Sequence, residues 1–156
     1  MATPAPSDTS SARSLDAFNQ SWDVFFLAVR RARGRAQRAP ADAAELSLSQ
    51  YHLLIGLMDE AKLPVGELAL RAGVSGPTAT RALDALARRG LVEREHSAVD
   101  RRVITIRLTP VGEQALSRKR AFILGKRAEL FDELDPAERE QAQRLLRRLG
   151  ELIDQW

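Results

Sequence analysis

Near the start of the chain, apolar residues fall at three- and four-residue spacing: Leu15, Phe18, Trp22, Phe25, Phe26 and Val29. That period puts them on one stripe of a helix and predicts helix from about Ser14 to Gln37. The basic run Arg30, Arg31, Arg33, Arg35 and Arg38 suits the negative end of that helix dipole. Ahead of it, residues 1–13 are rich in Pro, Ser and Thr and read as a disordered tail. After a loop around Pro40, Ser47 with Gln50 forms a capping-box pattern that opens a second helix through Tyr51, Leu54, Ile55 and Met58. Pro64 marks the entry of a short third helix carrying Val65, Leu68 and Ala69, and Gly73 supplies the turn after it. Ser75 is placed to cap a fourth helix by accepting a backbone N–H; Ala79, Ala82, Leu83 and Leu86 form its apolar stripe and Gly90 ends it.

The period then changes. The segments LVEREH (91–96) and VITIRL (103–108) are rich in β-branched residues and bridged by SAVDRR, which predicts a hairpin. Thr109-Pro110 opens a long helix reaching about Leu134. Asp135, Pro136 and Glu138 then restart a last helix with Leu145, Leu146, Leu149, Leu152, Ile153 and Trp156 along it. A mainly α fold with one small β-hairpin follows, long enough at 156 residues for a single domain with a real core.

Composition narrows the function. No apolar run nears the roughly 18 residues of a membrane span, and the N-terminus lacks the pattern of a secretory signal. With no cysteine there is no disulfide frame, thiolate metal site or thiol switch; a cytoplasmic protein is the expectation. Net charge is only +3, but it is uneven. Between Arg71 and Arg107 eight arginines face four acids (Asp84, Glu93, Glu95, Asp100), an excess of +4 that exceeds the whole chain's. A basic patch on a near-neutral body is the footprint of a nucleic-acid binder.

The patch lies on a helix-turn-helix pattern. Small residues Ala69, Gly73, Ala79 and Ala82 allow two helices to cross closely, while Gly76, Thr78, Thr80, Arg81, Asp84 and Arg88 fall off the apolar stripe of the second. Ser75, Thr78 and Thr80 are short donors suited to phosphates or base edges, and Arg81 can pair with guanine through two hydrogen bonds. At the hairpin tip, Asp100 can hold an arginine fork in place, leaving Arg101 and Arg102 to reach a DNA backbone or minor groove.

These residues resemble the MarR (multiple antibiotic resistance regulator) family of winged-helix transcription factors. The wing pattern of that family, Asp-x-Arg followed after five residues by Leu-Thr, is matched by Asp100, Arg102, Leu108 and Thr109, and VSGPTATRALDALARRGLVER is similar to its reading helix and first wing strand. One departure is a wing tip, HSAVD, without glycine. The resemblance implies a winged helix-turn-helix at 47–109, flanked by dimerisation helices at 14–46 and 110–156. It also implies a homodimer straddling an inverted repeat in double-stranded DNA. Ser75, Gly76, Pro77, Thr78, Thr80 and Arg81 would then lie on the reading helix and Asp100, Arg101 and Arg102 on the wing.

Enzymatic chemistry has little support. His52 and His96 are the only histidines, and no Ser-His-acid order or glycine-rich phosphate loop is present. A metal sensor needs several converging ligands, so no metal or cofactor is expected. His52, beside Tyr51, is expected to be a partly buried helix residue. The family resemblance implies a ligand pocket where the flanking helices meet the winged unit, lined by Trp22, Phe25, Phe26, Tyr51, His52 and Arg94; such a lining favours a small aromatic or anionic ligand. The urate-responsive branch of the family has a similar SGP start but an acid where His52 stands, so urate is not assigned. The reading is a homodimeric, ligand-released repressor; the alternative is a winged-helix protein-interaction module without sequence-specific DNA binding.

Overall fold

The computed structural model describes residues 6–38, 45–96 and 102–155, with side chains described from 13 to 31 and throughout the later two segments. The chain runs α1 (Pro6–Arg38), α2 (Leu48–Leu54) continued by a 3₁₀ turn (Ile55–Met58), β1 (Leu63–Pro64), α3 (Val65–Arg71), α4 (Gly76–Arg88), β2 (Val92–His96), β3 (Ile104–Leu108), α5 (Pro110–Glu133) and α6 (Pro136–Ile153). Most elements fall within a residue or two of the sequence pattern. The exception is α1, which begins at Pro6 rather than Ser14, so residues 6–13 are helix where a disordered tail was expected. Proline at a first helical position has no N–H to leave unpaired, and its fixed φ already suits the helix.

One core gathers α2, α3, α4, the sheet and the first turns of α5. Leu54, Leu68, Leu83, Leu86, Leu91, Ile106 and Leu116 are fully buried in it. The sheet has three antiparallel strands in the order β1-β3-β2, one more than the predicted hairpin. The added strand is two residues long, with Leu63 opposite Ile106 and Pro64 opposite Thr105. Too short to show a period, it survives because Leu63 is buried against the core and Pro64 sits at an edge, where a missing N–H breaks no ladder.

Two glycines close the helices of the helix-turn-helix. Gly73 (φ 62°) and Gly90 (φ 68°) adopt the left-handed conformation. After α3, Gly73 N–H reaches Leu70 O at 3.1 Å and Val74 N–H reaches Ala69 O at 3.0 Å; after α4, Gly90 N–H reaches Ala87 O at 2.9 Å and Leu91 N–H reaches Leu86 O at 3.0 Å. Both are Schellman closures, and in the second Leu86 and Leu91 are both fully buried in the core cluster.

Thr109 joins this corner to α5. Its N–H meets Leu91 O at 3.1 Å, its hydroxyl donates to Gly90 O at 2.6 Å, and the same oxygen caps α5 by accepting from Gly112 N–H at 3.0 Å. Gly112 is packed so tightly that a Cβ there would lie 1.9 Å from Leu91 O.

Beyond the core the long helices stand apart. Both predicted capping boxes form, Ser47 with Gln50 and Asp135 with Glu138. The turn between α5 and α6 is clamped by Arg139, which donates to Phe131 O at 3.0 Å and lies 4.0 Å over the Phe131 ring. Yet α5 buries only Gly112, Ala115 and Leu116, and α6 buries nothing within the chain. Phe122, Leu130, Phe131, Leu145, Leu146, Leu152 and Ile153 are exposed, as are Leu15, Phe18, Val24 and Phe25 on α1.

Gly112→Ala should destabilise the winged unit by about 2–3 kcal/mol, the upper part of the overpacking range, because the clash is with backbone rather than a movable side chain. Chemical denaturation checks this; an unchanged midpoint would show that the α4–α5 corner can open without loss.

Candidate nucleic-acid interface

The crossing of α3 and α4 presents the start of α4 to solvent. Ala79, Leu83 and Leu86 face the core, and Ser75, Gly76, Pro77, Thr78 and Arg81 are exposed, with Thr80 half-buried. The sequence pattern had separated these two faces correctly. Ser75 does stand at the N-cap with extended backbone (φ −68°, ψ 150°), but its side chain makes no bond to a backbone N–H. Its hydroxyl pairs instead with the Thr78 hydroxyl at 2.9 Å. Pro77 in the first turn has no N–H to offer a cap, and the Thr78 side chain competes for the Ser75 oxygen. The two hydroxyls therefore form a paired polar edge at the tip of α4.

The wing stands beside this helix. β2 and β3 pair in register from Val92 with Leu108 to His96 with Ile104. Arg102 is exposed in the turn that leads into β3, while Asp100 and Arg101 lie outside the described residues.

The basic patch is smaller than its composition. Arg71 is held by Glu60 and Glu67, each at 2.7 Å; hydrogen bonds to Glu67 and then Glu60 raise its pKa above the ordinary arginine value, so it remains cationic. Arg107 lies between Glu93 and Glu95 across the two wing strands, with its Nε 2.5 Å from Glu95. Arg89 donates to Glu45 O at 2.6 Å and to Gln50 Oε1 at 3.4 Å, tying the end of α4 to the start of α2. Arg94 pairs with Asp84 at 2.8 Å and donates to Thr80 O at 3.3 Å. Asp84, expected on the outer polar face, is thereby drawn to the wing side. Arg81 and Arg88 are exposed on α4 and form no ion pair among the described residues.

The aromatic residues expected to line a ligand pocket form two groups. On α1, Trp22 lies 6.0 Å from Phe18 and 5.0 Å from Phe26, and Phe25 meets Phe26 edge-on at 5.3 Å. On α2, Tyr51 lies 5.5 Å from His52. α1 packs against α2. Tyr51 is half-buried against the core, but His52 is exposed rather than partly buried, because Leu53 and Leu54 take the inward face of the short α2. Arg94 is engaged on α4 and is not brought to either group. Among the described residues, no three His, Asp or Glu side chains gather in the way a metal ion requires, and no described helix is long and apolar enough to cross a membrane.

Sequence reasoning missed the inward-turned arginines and the close approach at Gly112. Apart from the i,i+4 pair of Arg71 with Glu67, each depends on residues ten or more positions apart, for which no local period exists.

A helix-turn-helix whose second helix shows a polar tip, followed at once by a two-stranded wing, defines a winged-helix DNA-binding protein. Comparison with known proteins agrees. The MarR family model matches residues 46–104, the helix-turn-helix and much of the wing. The HTH-type transcriptional repressor YetL of Bacillus subtilis is 32% identical over 111 residues, covering 70% of this chain and 65% of YetL. The uncharacterized HTH-type transcriptional regulator YhbI of the same organism is 25% identical over 146 residues, 94% of both chains. A structure of Bordetella bronchiseptica BpsR, whose DNA binding is regulated by 6-hydroxynicotinic acid, superposes with a TM-score of 0.62 at 24% identity, covering 84% of this chain and 98% of that one. Over residues 46–104 the chain matches the MarR family, and its relatives are HTH-type transcriptional regulators. It is a DNA-binding transcriptional regulator and not an enzyme.

Proposed function

We propose that the protein is a homodimeric repressor that binds an inverted repeat and releases it when a small aromatic, anionic ligand binds. The observation that carries the DNA part of this reading is the α4 tip. Ser75, Gly76, Pro77, Thr78 and Arg81 stand exposed on a helix whose other face is buried, and the wing begins within a few residues of its end. In this reading Ser75, Thr78 and the N-terminal amides of α4 meet phosphates, Thr80 and Arg81 reach base edges, and Asp100, Arg101 and Arg102 act from the wing. Arg88, exposed and without an ion pair among the described residues, joins them as a phosphate contact.

Residues 47–109 form the DNA-binding unit; 14–46 and 110–156 form the dimer. Support for the dimer is the exposed apolar surface of α1, α5 and α6, which is more than a lone soluble chain ordinarily leaves bare. A two-fold dimer with one reading helix per chain sets half-sites about 10 base pairs apart. Repression is supported by the likeness to YetL, a repressor, and a regulator of transcription works where the chromosome is, in the cytoplasm. The ligand reading rests on the aromatic groups Trp22, Phe25, Phe26 and Tyr51 with His52, and on the regulation of BpsR by an aromatic acid. Arg94, tied to Asp84, drops out of the proposed lining. Ligand that prefers a dimer with the wrong spacing for DNA lowers DNA affinity by linkage.

Selection from random duplexes should yield a palindrome bound more tightly than its scrambled version, with affinity falling steeply as salt rises. Arg81→Ala and Arg102→Ala should each weaken it by about 1–3 kcal/mol with little change in thermal stability, Arg81→Ala also relaxing base preference at one position per half-site. Equal affinity for palindrome and scrambled duplex would sink the reading. Sedimentation should show a dimer at micromolar concentration, and deletion of 136–156 should give a monomer or an aggregate; an intact monomer refutes the dimer. Among aromatic acids, peroxide and zinc, an aromatic acid should release the DNA; release by peroxide or zinc alone would overturn the ligand assignment.

A further inference from the structure

Arg94 connects the wing to the reading helix. Its Nη2 lies 2.8 Å from Asp84 Oδ1 and 3.3 Å from Thr80 O. Thr80 and Asp84 are four residues apart, on one face of α4, and Thr80 adjoins the exposed Arg81. The other end of the tie is equally fixed. In the sheet Arg94 stands opposite Ile106, which is fully buried and paired on its far side with Leu63. Arg94 therefore reaches from a rigid strand position to two successive turns of α4, at the base of the wing and two residues before β2 ends.

As a source of stability this arrangement is poor. The Asp84 side chain is 45% exposed and that of Arg94 28%, so solvent screens the pair. The Arg94 Nε is buried with no hydrogen-bond partner among the described residues, which opposes what the pair contributes. What the contacts do supply is direction: a planar guanidinium held at two points on a helix restricts the angle between that helix and the strand carrying it.

We propose that Arg94 and Asp84 are positioning residues that set the angle of the wing against α4, so that the wing and the reading helix engage DNA together. Two contact points on one rigid body gain affinity because the second binds at high effective concentration once the first is made; a swivelling wing loses that gain. The inference rests on the DNA-binding reading given above, with Arg102 on the wing and Arg81 on α4.

The test is a double-mutant cycle on the selected palindrome, with melting curves for every variant. Arg94→Met keeps most of the stem volume and removes both polar contacts; it should lower DNA affinity about tenfold while moving the melting temperature by less than about 3 °C. Because Arg94 acts through the wing, the same change in an Arg102→Ala background should lower affinity less than about twofold further. Asp84→Asn, which leaves Arg94 in place, should reproduce the pattern if Arg94→Met folds poorly. Effects of Arg94 and Arg102 that multiply in full, or an Arg94→Met protein that binds within twofold of wild type, would overturn the inference alone. A loss of affinity that tracks a loss of folded protein in both variants would also overturn it. Wild-type protein with no preference for the palindrome would instead remove the DNA-binding reading on which it rests.

Discussion

The corner where α4 ends and α5 begins is the constraint on which the rest depends. Gly90 turns the chain in a left-handed conformation, Leu91 enters the core, and Thr109 returns from the sheet to bond both carbonyls of that turn. The same threonine oxygen caps α5 through Gly112, whose missing Cβ allows the helix to press on the Leu91 carbonyl. Four elements are fixed at once: the end of α4, both wing strands and the first turn of α5. Buried carbonyls at a helix end require partners, and here they are supplied by the residue that starts the next helix.

Charge is used in two ways. An excess of arginine over this region reads as a nucleic-acid footprint, yet Arg71, Arg89, Arg94 and Arg107 are engaged within the fold. They join α3 to the 3₁₀ turn, α4 to α2, wing to α4, and wing strand to wing strand. Arginine suits such work because its planar fork offers several donors in fixed directions and stays charged. Arg81 and Arg88, exposed on α4, form no ion pair among the described residues, so the cations left open on this helix are fewer than the composition offers.

The flanking helices tell a different energetic story. A three-stranded sheet, three short helices and the first turns of α5 close the core, and the faces of α1, α6 and the rest of α5 lie outside it. α5 and α6 are capped at their N-termini, but large apolar residues on all three helices remain open in a single chain. Burial of apolar surface is the main favourable term available to them, so their stability is tied to whatever covers them. A second copy, presenting the same stripes by symmetry, is the cover proposed above.

Much of this architecture was legible along the chain. Helical period, capping patterns at Ser47 and Asp135, glycines at 73 and 90, and β-branched residues on either side of the wing turn are local signals, each governed by backbone sterics within a few residues. The same locality made the polar face of α4 readable, since a 3.6-residue repeat separates Ala79, Leu83 and Leu86 from Thr78 and Arg81. Local patterns failed where the partner was distant. The extent of α1 was misjudged because Ser and Thr content outweighed the fit of Pro6 to a first helical turn. β1 is a strand only because β3 lies beside it. His52 is exposed because its neighbours claim the core, and Gly112 is required only because Leu91 approaches from twenty-one residues earlier. Which arginines brace the fold was likewise decided by tertiary structure. An ion pair depends on distance in space, and Arg94 meets Asp84 only after the chain has turned at Gly90 and entered the sheet.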